Sequence, residues 1–386
     1  MSAIRRIRLG RSPNCSSLGN VVNVLLWSQA AVAALWVAAE AWSVRRRRPE
    51  PDGGETRAVD APPALLSTSP ENGAPHEAHV QVTRACALPC PSCHIEPEAH
   101  GAHVPLSEVA ARFEGLAERG VFHVAVGGGE ALSHPDLGAI ADAAHKAGLS
   151  IGLTTSGVGE LAPAARFDQV NVSLDALGEG FRKARGYAGA DRALSAIRQL
   201  AAKGARVGVN IVLDRDTFTA LPATVAAAVA AGAVDVHLLR LKPVGRAAAD
   251  YLTRRLSPEQ ALEVWPTLEA LVEAFPGVDF RVDCAMTPYL AAHGVPPERM
   301  AAFGWTGCHG GDALVALDAA GSASACSFVA GPVDPAWRAG VNEGACGACP
   351  WRTLCRGGCH AVARHLTGRL LAPDPECPRV LAASAS

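Results

Sequence analysis

Residues 79–97 read HVQVTRACALPCPSCHIEP, a strand-like alternation that leads directly into a loop with three cysteines. Cys86, Cys90 and Cys93 are separated by three and then two residues. Thiolates this close in sequence are typical ligands of iron–sulfur clusters and of zinc. Three thiolates leave one iron of a [4Fe–4S] cluster open to another ligand, whereas a closed zinc site would need a fourth ligand such as His94.

The sequence that follows repeats a strand and helix pattern. Short β-branched runs alternate with amphipathic Ala/Leu-rich segments, the last of which opens at Ser257, a predicted N-cap. The five later strands are predicted in VFHVAVG (121–127), SIGLTTS (150–156), FDQVNVSLD (167–175), RVGVNIVLD (206–214) and VDVHLLRLKP (234–243). Six strand–helix units predict an α/β fold with a parallel sheet. Because a complete barrel has eight such units, we expect a partial, open (β/α)6 barrel over residues 78–290.

The second predicted strand ends in Gly127, Gly128, Gly129 and Glu130. Glycines allow the backbone to approach a ligand closely, and a carboxylate accepts hydrogen bonds from an ammonium group. Since the carboxyl ends of parallel strands lie at one edge of a sheet, this run should lie beside the cysteine loop.

Composition limits the classes of function. The chain has 386 residues, of which 49% are hydrophobic and 19% charged, so it can bury a sizeable core. A net charge of −2 gives no support for a nucleic-acid partner, which would require a basic face. Most of the twelve cysteines fall at short, metal-like spacings, which favours iron–sulfur clusters in a reducing compartment over disulfides.

The N-terminal region differs from the rest. Residues 21–39, VVNVLLWSQAAVAALWVAA, are apolar over about the length of a membrane span, with arginines on both sides. A membrane anchor over 1–44, with membrane association through residues 21–42, an interfacial or partner-binding helix, and a cleaved signal all remain open. Residues 45–77 are poor in large apolar side chains and predict a disordered linker.

The CxxxCxxC loop after strand one and the GGE sequence after strand two resemble the radical S-adenosylmethionine (SAM) superfamily. The resemblance implies that SAM chelates the fourth iron and is cleaved reductively to methionine and a 5′-deoxyadenosyl radical. It also implies SAM contacts from Gly127 to Glu130, Thr155, Ser173, Asp175 and, more weakly, Arg185. Relatives usually carry an aromatic residue before the third cysteine, where this chain has Ser92.

The C-terminal region, residues 300–380, resembles the SPASM domain of radical SAM peptide maturases. Its cysteines match that seven-cysteine array, including a Gly-x4-Cys element and CRGGC. The resemblance assigns two auxiliary [4Fe–4S] clusters, for three in all. One would be bound by Cys346, Cys349, Cys355 and Cys377, and the other by Cys308, Cys326 and Cys359, with Cys284 as the favoured fourth ligand and an open iron as the alternative.

The expected function is therefore that of an enzyme, a radical SAM oxidoreductase that modifies a peptide or protein by a cross-link or an epimerisation. Ser327 stands where sulfatase maturases have an aspartate, which counts against that branch. The alternatives are a haem- or tetrapyrrole-modifying enzyme and a non-catalytic, membrane-tethered Fe–S protein. A flavodoxin or ferredoxin would supply electrons, and a cytoplasmic location, including the inner face of the cytoplasmic membrane, suits both SAM and the clusters.

Overall fold

The computed structural model describes residues 75–296, 300, 307–331 and 336–384. The apolar segment at 21–39 and nearly all of the predicted linker lie outside these residues. No helix among the described residues is both long and apolar enough to cross a membrane.

The described strands form one sheet in the order β7-β6-β5-β4-β3-β2-β1-β8-β9. Every neighbouring pair is parallel except β8 with β9. The bounds are β1 Glu77–Gln81, β2 His123–Gly127, β3 Ser150–Thr155, β4 Gln169–Ser173, β5 Val207–Leu213, β6 Asp235–Arg240, β7 Asp279–Val282, β8 Leu314–Leu317 and β9 Ala323–Ser324.

The helices of the barrel follow its strands, and shorter helices follow in the cysteine-rich region. Their bounds are α1 Leu106–Glu118, α2 Leu137–Lys146, α3 Gly178–Arg185, α4 Ala190–Ala202, α5 Arg215–Ala231, α6 Tyr251–Arg254, α7 Pro258–Ala274, α8 Thr287–Ala291, α9 Ala336–Ala339, α10 Gly344–Gly347, α11 Arg352–Cys355, α12 His360–Thr367 and α13 Pro378–Ser384. Ser257 caps α7 as predicted, in a capping box that it completes with Gln260.

All six predicted parallel strands are present and in sequential order. The sheet continues further than predicted, because β7 precedes Cys284 and β8 pairs in parallel with β1. The sheet therefore extends across the predicted domain boundary near residue 300, and part of the cysteine-rich region is attached directly to the first strand of the barrel.

The strands separate an apolar core from a polar interior. In β1, Ala78 and Val80 are fully buried, while Glu77, His79 and Gln81 alternate with them and are partly exposed. This period-two alternation places the polar residues on the face of the strand opposite the core. Pairing of Gln81 with Gly127 and of Ser173 with Asn210 brings the strand ends to one edge.

Candidate active site

The cysteine loop begins just beyond β1. Cys86, Cys90 and Cys93 are all partly exposed, and a turn joins the Cys93 N–H to the Cys90 carbonyl at 3.2 Å. Burial raises the pKa of Cys86, the Leu88 N–H opposes this, and the nearby Glu130 carboxylate and the other two thiols raise it further. The three predicted ligands therefore lie together and beside Glu130, in a loop that leaves their sulfurs accessible.

The three glycines after β2 have different roles. A Cβ at Gly129 would lie 2.3 Å from the Ala85 carbonyl oxygen, and one at Gly128 would lie 2.4 Å from that of Thr83. Both glycines therefore allow this loop to pack against the backbone that leads to the cysteines. A Cβ at Gly127 would meet nothing within 4 Å. Of the three, Gly127 is the one with open space for a ligand.

Glu130 is a buried carboxylate held by neutral donors. It accepts hydrogen bonds from Thr155 Oγ1 at 2.5 Å, from the Ser156 N–H at 2.7 Å and from the Leu132 N–H at 3.1 Å, and also from the Ser156 hydroxyl. None of the ion pairs between described residues involves Glu130. A buried charge normally requires a partner of opposite sign. The site therefore fits a ligand that brings an ammonium group.

Asp175 and Arg185 form a buried ion pair beside the cysteine loop, with Nε and Oδ2 2.5 Å apart. Asp175 also accepts the Val212 N–H at 2.8 Å, so its carboxylate is largely engaged by the protein. Burial raises the pKa of Cys90, and the adjacent Arg185 guanidinium acts in the opposite direction. Asp175 therefore holds Arg185 beside Cys90.

Ser173 and Asn210 pair across the ends of β4 and β5 and are both nearly buried. The Asn210 amide lies 3.5 Å from Thr154 Oγ1, whereas its Oδ1 has no partner. A SAM contact by Ser173 stays a prediction.

Two contacts to the cysteine loop were missed in the sequence. Arg254 Nη2 donates to Ser92 Oγ at 2.7 Å and is held by Asp214, 2.9 Å away. Tyr187 lies near Cys90, and burial raises the pKa of its phenol to about 12. Neither residue belongs to a short motif, so no local signal identifies it.

Cys284 and Cys308 lie in contact although 24 positions separate them in sequence. Their mutual hydrogen bond raises the pKa of Cys284 well above its usual value. The same hydrogen bond lowers the pKa of Cys308 well below its usual value, and the Trp337 indole N–H, 3.4 Å from Cys308 Sγ, acts in the same direction. Burial raises the pKa of Cys326, and the Cys308 and Cys359 thiols raise it further. These four thiols form one group, which includes the predicted fourth ligand.

A second group of thiols lines a small cavity between the C-terminal helices. Its lining includes Cys346, Cys349, Cys355 and Cys377, the set predicted for the other auxiliary cluster. Burial raises the pKa of Cys355 above its usual range, and Cys377 and Cys346 raise it further. Among the described residues, no three His, Cys, Asp or Glu side chains are arranged to hold a single metal ion.

Arg240 connects the barrel to the segment between the two thiol groups. Its guanidinium pairs with Asp374 at 2.6 Å and with Glu376 at 2.8 Å, and all three side chains are almost fully buried. Asp374 also accepts the Cys359 N–H at 2.9 Å. Arg240 therefore orders the scaffold of the thiol groups.

His94, Phe328 and Lys242 form a wall between the cysteine loop and the Cys284 group. The rings of His94 and Phe328 are 4.5 Å apart, and Lys242 Nζ lies 4.3 Å from the centre of the Phe328 ring. Burial lowers the pKa of His94 to about 4, and Lys242 and His79 lower it in the same direction. At neutral pH His94 is therefore uncharged, and its ring packs against that of Phe328.

Comparison with known proteins places this site in a family. The model of the radical SAM superfamily matches residues 80–222. Mycofactocin maturase MftC of Mycobacterium tuberculosis is 29% identical over 338 residues, covering 77% of this chain and 81% of that protein. PqqA peptide cyclase of Methylocella silvestris is 29% identical over 325 residues, covering 77% and 86%.

A solved structure shares the fold. Streptococcus suis SuiB bound to its precursor peptide SuiA superposes with a TM-score of 0.65 at 14% identity, covering 79% of this chain and 76% of that chain. The matched segment contains the cysteine triplet, Glu130 and the Asp175–Arg185 pair. Residues 80–222 are therefore a radical SAM domain, and the protein is an enzyme.

Proposed function

We propose that this enzyme modifies a ribosomally made peptide, either oxidatively by forming a cross-link or, without net oxidation, by epimerising a residue. The proposal depends mainly on the position of the cysteine triplet beside Glu130, a buried carboxylate that pairs with no cation among the described residues. The triplet and Glu130 lie together at the mouth of the polar barrel interior. Relatives that are named as a peptide maturase and a peptide cyclase support a peptide as the substrate class.

Cys86, Cys90 and Cys93 would bind a [4Fe–4S] cluster, and Glu130 would bind the amine of SAM. The open space at Gly127 fits a bound ligand, and Thr155 supports it by orienting Glu130. When bound, the cluster supplies the electron that cleaves SAM to methionine and a 5′-deoxyadenosyl radical. Arg185 would sit against the Cys90 thiolate and make the site more electropositive.

The C-terminal cysteines would bind two further [4Fe–4S] clusters in a SPASM arrangement. The Cys284, Cys308, Cys326 and Cys359 thiols interact with one another, and Cys346, Cys349, Cys355 and Cys377 share a cavity. Thiolates are the usual ligands of such clusters, and four per group complete the set. An oxidative reaction suits this arrangement because the substrate radical must lose an electron.

The reduction needs a low-potential donor, which we propose to be a flavodoxin or a ferredoxin. SAM and such donors are found in the cytosol, so the barrel and the cysteine-rich region are proposed to face it. The apolar segment at 21–39 would then associate with the inner face of the membrane.

The test is an anaerobic reaction of the reduced enzyme with SAM and the peptide encoded by a short reading frame next to its gene. A cross-link predicts 5′-deoxyadenosine together with a product lighter by two hydrogens. Epimerisation predicts no mass change in H2O and a gain of one deuterium in D2O. The control is the Cys86→Ala/Cys90→Ala/Cys93→Ala variant, which should give neither. If 5′-deoxyadenosine accumulates and the peptide is unchanged in both solvents, the proposed function is wrong.

A further inference from the structure

His79 lies at the centre of β1 and points into the barrel interior. Its Nδ1 is 3.0 Å from Ser327 Oγ, and its Nε2 is 3.5 Å from Glu77 Oε1. The side chains of His79 and Glu77 are 36% and 37% exposed, so they line an accessible space and are not packed in the core. A continuous series of polar contacts, here called the relay, therefore joins Ser327, His79 and Glu77, although Ser327 and His79 are 248 positions apart.

The charge on Glu77 fixes the direction of this relay. Burial raises the pKa of Glu77, but His79, His123 and His237 outweigh it and lower the pKa to about 2. The carboxylate is therefore ionised at neutral pH and favours the tautomer of His79 with its proton on Nε2. The Nδ1 lone pair then faces the Ser327 hydroxyl, and the imidazole is arranged as a proton acceptor.

The relay lies between the cysteine loop and the Cys284 group. Ser327 follows Cys326 directly, and the next residue, Phe328, packs on His94, which follows Cys93. A substrate held in the barrel interior between the cysteine loop and the Cys284 group would therefore meet Ser327 and His79.

We propose that His79 accepts, through the Ser327 hydroxyl, the proton that the peptide loses when its radical is oxidised, and that Glu77 stays ionised and stabilises the imidazolium that forms. The proposal rests on the cross-linking form of the proposed function. The balance is complete: one hydrogen atom goes to the 5′-deoxyadenosyl radical, one electron to an iron–sulfur cluster as oxidant, and one proton to His79. The peptide gains one new bond and loses two hydrogens.

The competing explanation is that the His79–Ser327 hydrogen bond only attaches the Cys326 segment to β1. In that case, loss of the bond should disturb the Cys326 thiol group and reduce the iron content. A proton acceptor behaves differently, because its loss leaves the clusters and SAM cleavage intact but stops the step after radical formation. Radicals that are not oxidised then take a hydrogen from solvent-exchangeable thiols.

The experiment compares wild type with His79→Gln and Glu77→Gln in the anaerobic reaction described above, run in D2O with the same peptide. His145→Gln, which removes an exposed imidazole that pairs with Asp168, is the matched control. We expect iron content and 5′-deoxyadenosine formation to stay within about twofold of wild type in His79→Gln. Product should fall by about 100-fold, the usual contribution of a proton-transfer group, and recovered peptide should carry deuterium. Glu77→Gln should show the same pattern more weakly.

Any of the following results would overturn the relay. Normal coupling of 5′-deoxyadenosine to product in His79→Gln, beside an active wild type, excludes it and leaves the proposed function intact. A loss of iron in His79→Gln that matches its loss of product shows a structural role instead. If wild type epimerises the peptide without loss of hydrogen, the relay fails alone. If wild type does not change the peptide at all, the proposed function fails and the relay fails with it.

Discussion

Replacement of Arg240 by methionine should be among the most destabilising single substitutions in this protein. The side chains of Arg240 and Asp374 are 2% and 0% exposed. The Arg240 guanidinium also donates to the Ala285 carbonyl at 2.8 Å. Burial alone would lower the pKa of Arg240, but Asp374 raises it well above its usual value. Methionine keeps most of the volume but leaves the buried Asp374 carboxylate without its cation, whereas Glu376 keeps Arg255 at 2.8 Å. Breaking such a pair costs about 3–5 kcal/mol.

The measurement is the thermal unfolding midpoint of anaerobically prepared protein, followed by tryptophan fluorescence. A loss of about 3–5 kcal/mol should lower the midpoint by about 5–8 °C, because the unfolding entropy of about 300 ordered residues is about 0.65 kcal/mol per degree. The control is Arg166→Met, which removes a pair with Asp142 whose side chains are more than half exposed and should cost less than about 1 kcal/mol.

A compensating variant tests the physical reason. If the cost arises from the unpaired Asp374 carboxylate, Arg240→Met/Asp374→Asn should be more stable than Arg240→Met alone, because a neutral amide keeps the shape of the side chain without its charge. A midpoint for Arg240→Met within about 2 °C of wild type would refute the reasoning, as would a double variant that is less stable still.

Three other substitutions give separate tests. Glu130→Gln should weaken SAM binding, measured by equilibrium dialysis, by about tenfold with unchanged iron, since an ammonium loses its charged partner. Gly129→Ala puts a Cβ 2.3 Å from the Ala85 carbonyl and should abolish the triplet's iron signal in electron paramagnetic resonance, whereas Gly127→Ala should retain it. Burial lowers the pKa of His237 to about 4 from 6.5, so the unfolded chain binds a proton that the folded chain does not. Stability should therefore fall as pH drops from 6.5 towards 4, and His237→Gln should reduce that fall.

Much of the barrel was predictable from the sequence because its signals are local. The six strands have period-two or continuous apolar patterns, and parallel pairing brings their carboxyl ends, with the triplet and Glu130, to one edge. Cys346, Cys349 and Cys355 are close in sequence, so their proximity followed from spacing alone.

The rest depends on contacts between distant residues. No local sequence pattern near β8 indicates that it pairs with β1. Arg240 has the sequence context of an ordinary strand end, although its partners Asp374 and Glu376 are more than 130 positions away. His79 carries a weak local signal, since a polar residue that alternates with buried ones in a parallel strand must face the barrel interior. Its partner Ser327 can be found only from the folded structure.

The most direct measurement is iron and sulfide per chain after anaerobic purification and reconstitution, together with SAM cleavage under reducing conditions. The comparison is wild type against Cys86→Ala/Cys90→Ala/Cys93→Ala. Three clusters predict about twelve irons in wild type and about eight in the variant, with 5′-deoxyadenosine formed by wild type alone. Zinc in place of iron, or equal iron and equal SAM cleavage in the two proteins, would contradict the assignment of the SAM-binding cluster to this loop.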